Sequence, residues 1–209
     1  MIDSSPKRAK KHAFTLIELL VVIAIIVILM GLLFPVIGSV KESGRKVQAK
    51  NDLTSIVNSV KAYYTEYGKY PNPTNSTTDV AFGATTPNAA LIDILRNTNV
   101  SVTGTFNPRS IVFLEAPSVK DPSSPKSGVL IANANTNSGE WYDPWGTVYN
   151  IAIDEDYDNQ ILKATHSYSD ANFSTISTGV IGWSYGKDKK QGINGNKTYL
   201  NSDDVISWQ

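Results

Sequence analysis

The sequence predicts an α+β protein in which one long N-terminal helix, a membrane half followed by an amphipathic half, packs on a small antiparallel β-sheet domain. Two observations predict the helix: every residue from 19 to 34 is apolar or glycine, and an amphipathic stripe follows. A third observation predicts the sheet, because six short runs of strand-forming residues come after residue 110, separated by Pro, Gly, Asn and Ser. One long helix followed by strands is typical of α+β proteins.

The apolar run and its flanks are long enough to cross a bilayer. We place the membrane half of the helix at 14–38, which exceeds the roughly 20 residues that a membrane helix needs. Four basic residues and one acid precede it, so the positive-inside rule places the N-terminus in the cytoplasm and the later residues outside. A secretory signal peptide is the alternative, but the run is longer than the apolar core of such a peptide and no A-x-A site follows it.

The amphipathic half of the helix is predicted at 39–71. Its apolar side chains recur at intervals of three and four residues, which gives one buried face, and Gly68 and Pro71 end it. A helix from 14 to 67 is about 80 Å long. Pro35 removes a backbone hydrogen bond, so we expect a kink there. The residues of the predicted buried face are Leu53, Ile56, Val57, Val60, Tyr64 and Tyr67.

Shorter elements follow the long helix. Residues 71–88 are rich in Pro, Asn, Thr and Ser and are predicted to form a loop. A short helix is predicted at 88–96, with Leu91, Ile94 and Leu95 facing the core. The predicted strands are 111–114, 129–132, 148–153, 161–164, 180–185 and 205–208.

The composition argues against several functions. The chain of 209 residues has 19 basic and 19 acidic residues, so a basic surface for nucleic acid is not indicated. It has no cysteine, which excludes disulfides, thiolate zinc sites and cysteine nucleophiles. Neither a Ser-His-Asp arrangement nor a phosphate-binding loop is evident, and we expect no enzymatic activity.

Glu18 is the one charged residue within the apolar run. A charge in a membrane segment costs roughly 2.5 to 3.5 kcal/mol at the helix centre and less near an end. We therefore expect this carboxylate to have a partner or a task.

The segment around Glu18 resembles a known processing signal. The run AFTLIE at 13–18, after a short basic leader, is similar to the cleavage and methylation signal of type IV pilin-like proteins. The resemblance implies that a prepilin peptidase removes the leader, 1–13, by cutting between Ala13 and Phe14, and that it methylates the new amine of Phe14. Ala13 stands where the family usually has Gly, so cleavage requires a peptidase that accepts alanine.

Three further segments resemble the major pseudopilin of type II secretion systems. The run YGKYP at 67–71 is similar to the end of that family's long helix, and DPWG at 143–146 is similar to a strand entry. The tail, 184–208, resembles the family's calcium-binding loop. Residues 72–140 match no motif of the family and are predicted to be a variable insertion. The resemblance implies a pilin-like fold for the globular domain, 72–209.

The tail resemblance implies three calcium ligands, Asp188, Asp203 and Asp204. Calcium takes six to eight oxygens, several of them from carboxylates, on a chain that turns sharply. Lysines flank Asp188 on both sides, so a solvated charged loop without metal is the alternative.

A second acidic run, Asp154–Asn159, is a rival metal site. Its alternating carboxylates resemble the first half of an EF-hand loop, but Asn159 replaces the Gly of position six and Thr165 the Glu of position twelve. We therefore predict an acidic hairpin turn here.

The resemblance also implies a partner for Glu18. When subunits leave the bilayer and stack through their apolar helices, Glu18 of one copy can approach the Phe14 amine of the next. A buried pair of opposite charges defines register even where it adds little stability. The alternative is a carboxylate near the membrane surface, reaching water or protonated.

Together these observations predict a structural subunit of a type II secretion pseudopilus. It is expected in the inner membrane, with its C-terminal domain in the periplasm, before it polymerises as a homopolymer that drives protein export. The expected partners are other copies of the chain, prepilin peptidase, minor pseudopilins, and the inner-membrane assembly platform with its ATPase. The alternatives are a type IV pilus or DNA-uptake fibre subunit, and a membrane-tethered binding module that does not polymerise.

Overall fold

The longest element is helix α1, Leu16–Tyr67, which covers nearly all of the predicted long helix. A small antiparallel sheet domain follows it, so the predicted α+β class is confirmed. The structure, a computed structural model, describes residues 15–83, 85–98, 105–131 and 139–209.

The chain divides into two compact units, Met1–Ser43 and Gly44–Gln209. In the first unit the apolar side chains of α1 are exposed, among them Leu16 at 82% and Val27 at 69%. A continuous apolar surface of this kind needs a cover of lipid or protein.

Within the described residues, no single helix is long and apolar enough to cross a membrane. Two segments of α1, Leu16–Leu32 and Ile37–Tyr67, are separated by a bend. Taken together, they meet that test by length and composition alone. The bend coincides with the region in which the sequence predicts a kink at Pro35.

The second unit contains a four-stranded antiparallel sheet, whose strands lie in the order Val80–Phe82, Asn150–Ile153, Val180–Ser184 and Val205–Ile206. The described part of the chain also contains two separate two-stranded sheets, one that pairs Gly128–Val129 with Trp141–Tyr142 and one that pairs Ile161–Leu162 with Thr175–Ile176. In the described part of the chain, the α-helices of this unit include the second part of α1, α2 at Ala89–Arg96 and α3 at Lys163–His166. The strands are β1 at Val80–Phe82, β2 at Gly128–Val129, β3 at Trp141–Tyr142, β4 at Asn150–Ile153, β5 at Ile161–Leu162, β6 at Thr175–Ile176, β7 at Val180–Ser184 and β8 at Val205–Ile206.

The amphipathic part of α1 packs on one face of this sheet. Leu53, Ile56 and Val60 are fully buried in a core that also contains Ile151 and Ile153 of β4. The prediction of the buried face was wrong at one position, because Tyr63 is fully buried while Tyr64 is 40% exposed. Both lie within one helical turn of Val60, and the choice depends on the neighbours of each ring.

Those neighbours are contacts distant in sequence. The Tyr63 hydroxyl donates to the backbone carbonyl of Phe106, so its polar end is satisfied when the ring is buried. The Tyr64 ring lies against that of Tyr70, with the ring centroids 4.6 Å apart.

The opposite face of the sheet carries a second core. Side chains alternate along a strand, so Ile151 and Ile153 face α1 while Ala152 faces the other way. This second core is rich in aromatic side chains and is built from the C-terminal part of the chain. Its members are Ala152, Ile161, Tyr168, Phe173, Ile181, Trp183 and Ile206, with Tyr199 and Trp208 packed against them.

Several predicted elements need correction. The predicted strand 111–114 is absent, because the N–H groups of Phe113 and Leu114 donate to the Leu95 carbonyl at the end of α2. The predicted strand 161–164 ends at Leu162, where α3 begins. Strand β1 lies within the predicted loop 71–88. It has only three residues, too few to show an alternating pattern.

The other predictions agree better with the structure. The short helix predicted at 88–96 is α2, with Leu91, Ile94 and Leu95 all fully buried as expected. The predicted strands 148–153, 180–185 and 205–208 correspond to β4, β7 and β8, and 129–132 overlaps β2. Residues 72–140, the predicted insertion, supply β1 and α2 to the core.

A buried carboxylate organises the DPWG turn between β3 and β4. Asp143 is fully buried, and one oxygen accepts the backbone N–H groups of Trp145, Gly146 and Thr147 at 2.9, 2.8 and 2.9 Å. The other oxygen accepts the hydroxyls of Thr147 at 2.5 Å and of Ser184 at 2.6 Å. Because Ser184 ends β7, this carboxylate fixes the turn to the sheet.

We predict that Asp143→Ala lowers the free energy of unfolding by at least about 3 kcal/mol, since several buried donors lose their acceptor at about 1 to 3 kcal/mol each. Chemical unfolding of the full chain in detergent, followed by tryptophan fluorescence, measures the change. Asp121→Ala is the matched control, because the exposed Asp121 accepts a single turn N–H, that of Ser123, and its loss is expected to cost about 1 kcal/mol or less. Equal effects of the two substitutions would contradict a special role for Asp143.

Candidate functional site

Glu18 has a partner within its own chain. Its carboxylate accepts the backbone N–H of Thr15 at 2.8 Å and the Thr15 hydroxyl at 2.7 Å. The Glu18 N–H lies 3.3 Å from the same hydroxyl, so the two residues form a reciprocal capping box at the start of α1. A negative charge in the first turn also interacts favourably with the helix dipole.

Sequence reasoning missed this contact although its signal is present. Thr15 and Glu18 match the pattern of Ser or Thr followed three residues later by Glu or Gln, which marks a helix start. The sequence analysis predicted a charged partner from another subunit and did not predict that the Glu18 carboxylate caps its own helix.

The surface around Glu18 is apolar and exposed. Ile17 is 68% exposed and Val21 50%, one turn further along. Ala13 and Phe14, the predicted cleavage and methylation positions, and the predicted leader 1–13 lie outside the described residues.

The predicted calcium ligands come together at one end of the sheet. Strands β7 and β8 are antiparallel neighbours, and Ser184 lies opposite Val205. The loop that joins them therefore begins and ends at the same edge of the sheet. Oxygens of Asp188, Asp203 and Asp204 lie within 4.8 Å of one another. The topology of the sheet therefore unites carboxylates that the sequence separates.

Glycine is required where this loop leaves β7. Gly186 has φ +66°, a left-handed conformation that favours glycine. A Cβ at this position would overlap the Asp203 carbonyl oxygen, and it would lie 2.9 Å from a carboxylate oxygen of the same residue. The tight crossing brings the two ends of the loop close together.

Asp204 is the buried member of the three carboxylates. One oxygen accepts the Tyr168 hydroxyl and the Gly192 N–H, each at 2.7 Å. The other oxygen is buried and has no hydrogen-bond partner among the described residues. Burial, with the charges of Asp203 and Asp188, raises the pKa of the Asp204 carboxyl to about 6, although its two hydrogen bonds lower it.

This arrangement fits a hard divalent cation. Three carboxylates converge, and a buried oxygen without a partner is the kind of group that a cation ligates. Asp188 and Asp203 are more exposed than Asp204, which leaves one side of the cluster open to solvent. The flanking lysines, Lys187 and Lys189, are exposed.

The rival acidic run forms a turn, but the turn is not a hairpin. Both oxygens of Asp154 accept backbone N–H groups of the same loop, from Tyr157 at 2.7 Å and from Asn159 at 2.8 Å. The loop joins β4 to β5, and β4 pairs with β1 and β7 instead of β5. Asp79 and Asp156 lie close to Asp154, a grouping that the sequence does not reveal. Asp154 thus accepts two N–H groups of its own loop, whereas a buried oxygen of Asp79 has no hydrogen-bond partner among the described residues.

One comparison with known proteins gives a match. Residues 8–34 match the model of the prokaryotic N-terminal methylation motif. No curated protein and no solved structure gives a match to this chain. The matched residues include Ala13, Phe14 and Glu18, and they end before the second unit begins. The motif supports a type IV pilin-like subunit that is processed by prepilin peptidase and has an N-terminal apolar helix typical of membrane anchoring.

Proposed function

We propose that this chain is a structural subunit of a type II secretion pseudopilus, which polymerises through its N-terminal helix to drive protein export. The observation that carries the proposal is the methylation motif at residues 8–34, directly before and within an apolar helix with exposed side chains. A filament supplies the cover that these side chains need once the subunit leaves the bilayer.

Processing prepares the chain for assembly. Cleavage between Ala13 and Phe14 leaves the apolar helix intact and creates an amine one residue before Thr15, at the capping box. In the single subunit the Glu18 carboxylate accepts from Thr15. In the filament it turns to the methylated Phe14 amine of the neighbouring copy. This exchange replaces a local cap by a contact between subunits, and it occurs only in one register.

The pseudopilus is preferred to a surface pilus because of the second unit. The DPWG turn around Asp143 and the acidic tail are the features that resemble the major pseudopilin. The expected partners are other copies, prepilin peptidase, minor pseudopilins, and an inner-membrane assembly platform whose ATPase supplies the energy.

The tail is proposed to hold calcium through Asp188, Asp203 and Asp204. Bound calcium supplies the positive charge that offsets three neighbouring carboxylates. The buried Asp204 oxygen without a hydrogen-bond partner supports this assignment. Because Tyr168 donates to Asp204 and packs in the aromatic core, the site connects the loop to the sheet.

The role of Glu18 is tested by separating its charge from its capping function. Glu18→Gln keeps a side chain that can cap the helix but removes the charge. Thr15→Val removes the hydroxyl and keeps the carboxylate. We expect Glu18→Gln and Glu18→Ala to insert in the membrane and fail to assemble, and Thr15→Val to assemble. Shear fractionation and electron microscopy measure the filaments.

Mass spectrometry of the same samples reports the N-terminus. The mature chain is expected to begin at methylated Phe14 in all three variants. A chain that retains Met1 would contradict processing, and normal filaments from Glu18→Gln would contradict the charge pairing.

Calcium is tested by thermal unfolding of the full chain in detergent, with calcium or with a chelator. At about 100 times the dissociation constant, calcium adds about 2.7 kcal/mol to stability, which raises the Tm of a chain of this size by about 5 to 10 °C. We expect Asp204→Asn to abolish this calcium-dependent shift. Asp156→Asn, in the other acidic group, is expected to retain it. An unchanged Tm in the parent chain would refute the site.

A further inference from the structure

A cavity of about 310 Å³ lies beside the C-terminal end of α1, away from Glu18 and from the Asp188, Asp203 and Asp204 cluster, and the Asp154–Asn159 loop forms part of its wall. It is formed by the loop after α1, the loop between β4 and β5, and Phe106. The residues that line it include Lys69, Tyr70, Asn72, Phe106, Glu155 and Tyr157.

Glu155 is the acidic group of this cavity. The residue is only 6% exposed, and its Oε1 atom has no hydrogen-bond partner among the described residues. The Asn72 amide is hydrogen-bonded to the carboxyl group and satisfies part of it. No ion pair to Glu155 is found in the described part of the chain. A buried carboxylate oxygen without a donor is costly, and a cation from outside would remove that cost.

The surroundings of Glu155 are negative. Burial, together with the charges of Asp154 and Asp79, raises the pKa of its carboxyl group to about 7, although the Asn72 hydrogen bond lowers it. Lys69 lines the same cavity with an exposed side chain. The neighbouring phenols of Tyr63 and Tyr70 have pKa values raised to about 12 and stay neutral near pH 7.

Two aromatic rings complete the wall. Tyr70 and Tyr157 are stacked, with ring centroids 5.6 Å apart and an angle of 20° between the ring planes. The Tyr157 hydroxyl also accepts the Tyr70 N–H at 3.2 Å, which fixes the pair. The faces of tyrosine rings attract cations within about 6 Å.

We propose that this cavity binds an organic cation, a guanidinium or alkylammonium group, with Glu155 as its counter-ion and the rings of Tyr70 and Tyr157 as its walls. A volume near 310 Å³ is at the small end of ligand pockets and suits the end of an arginine or lysine side chain, or a small polyamine. A metal ion fits less well, because Glu155 is the one carboxylate among the described residues that line the cavity.

The test is calorimetric titration of the full chain in detergent with two probes and a neutral control. Nα-acetyl-arginine N-methylamide represents an arginine side chain in a protein, and agmatine represents a free small cation. The matching citrulline derivative has nearly the same shape without the charge. We expect binding of at least one cation and none of the citrulline compound. Binding of the blocked arginine indicates a protein partner, and binding of agmatine alone indicates a free amine.

The pH dependence identifies the counter-ion. With a pKa of about 7, Glu155 is mostly ionised at pH 8 and mostly protonated at pH 6, so affinity is expected to be about tenfold higher at pH 8. Glu155→Gln is expected to weaken binding at pH 8 at least about tenfold and to remove the pH dependence. Glu115→Gln, an exposed residue outside the cavity, is the control and is expected to leave both unchanged.

Three further variants examine the lining of the cavity. Tyr157→Phe keeps the ring and is expected to bind, whereas Tyr157→Leu is expected to lose affinity. Lys69→Gln is expected to tighten binding, because Lys69 has the same charge as the ligand. Thermal unfolding of each variant checks that it is folded. Binding of neither cation, equal binding of the citrulline compound, or unchanged affinity in Glu155→Gln would overturn the proposal.

Discussion

The packing of the amphipathic part of α1 on the four-stranded sheet holds the second unit together. Leu53, Ile56 and Val60 are fully buried by this contact. The helix and the sheet approach closely at β7, where a Cβ on Gly182 would lie 3.0 Å from a methyl group of Leu53. The same helix continues into an apolar segment whose side chains are exposed. Helix α1 thus has two hydrophobic surfaces. One is covered by the chain's own sheet, and the other requires a cover of lipid or of further copies of the chain.

The sheet also determines where the polar groups of the second unit meet. The antiparallel pairing of β7 and β8 joins Asp188 to Asp203 and Asp204, and the hydroxyl of Ser184 ties β7 to Asp143. On the second face, Tyr168 connects Asp204 to the aromatic core. The proposed calcium loop is therefore attached to the sheet at several points.

The structure changes the interpretation of Glu18. A charged side chain in an apolar segment is costly, so the sequence analysis predicts a partner for Glu18 in another subunit. In the single chain Thr15 already accommodates it through a capping box. The proposed pairing with the Phe14 amine must then compete with this cap. In the proposed filament, the balance between these two contacts would set how readily a subunit assembles.

The sequence by itself determined the long helix, the buried positions Leu53, Ile56 and Val60, helix α2 and the strands β4, β7 and β8. These follow from periodicity and from turn-forming residues, which act over a few residues of the chain.

Only the tertiary structure decided what depends on distant contacts. It selected Tyr63 over Tyr64 for the core and replaced the strand predicted at 111–114 by hydrogen bonds to Leu95. It also brought Asp79 to Asp154, and the ring of Tyr70 to Tyr157 and Glu155. Such groupings arise from chain topology, which local patterns do not contain.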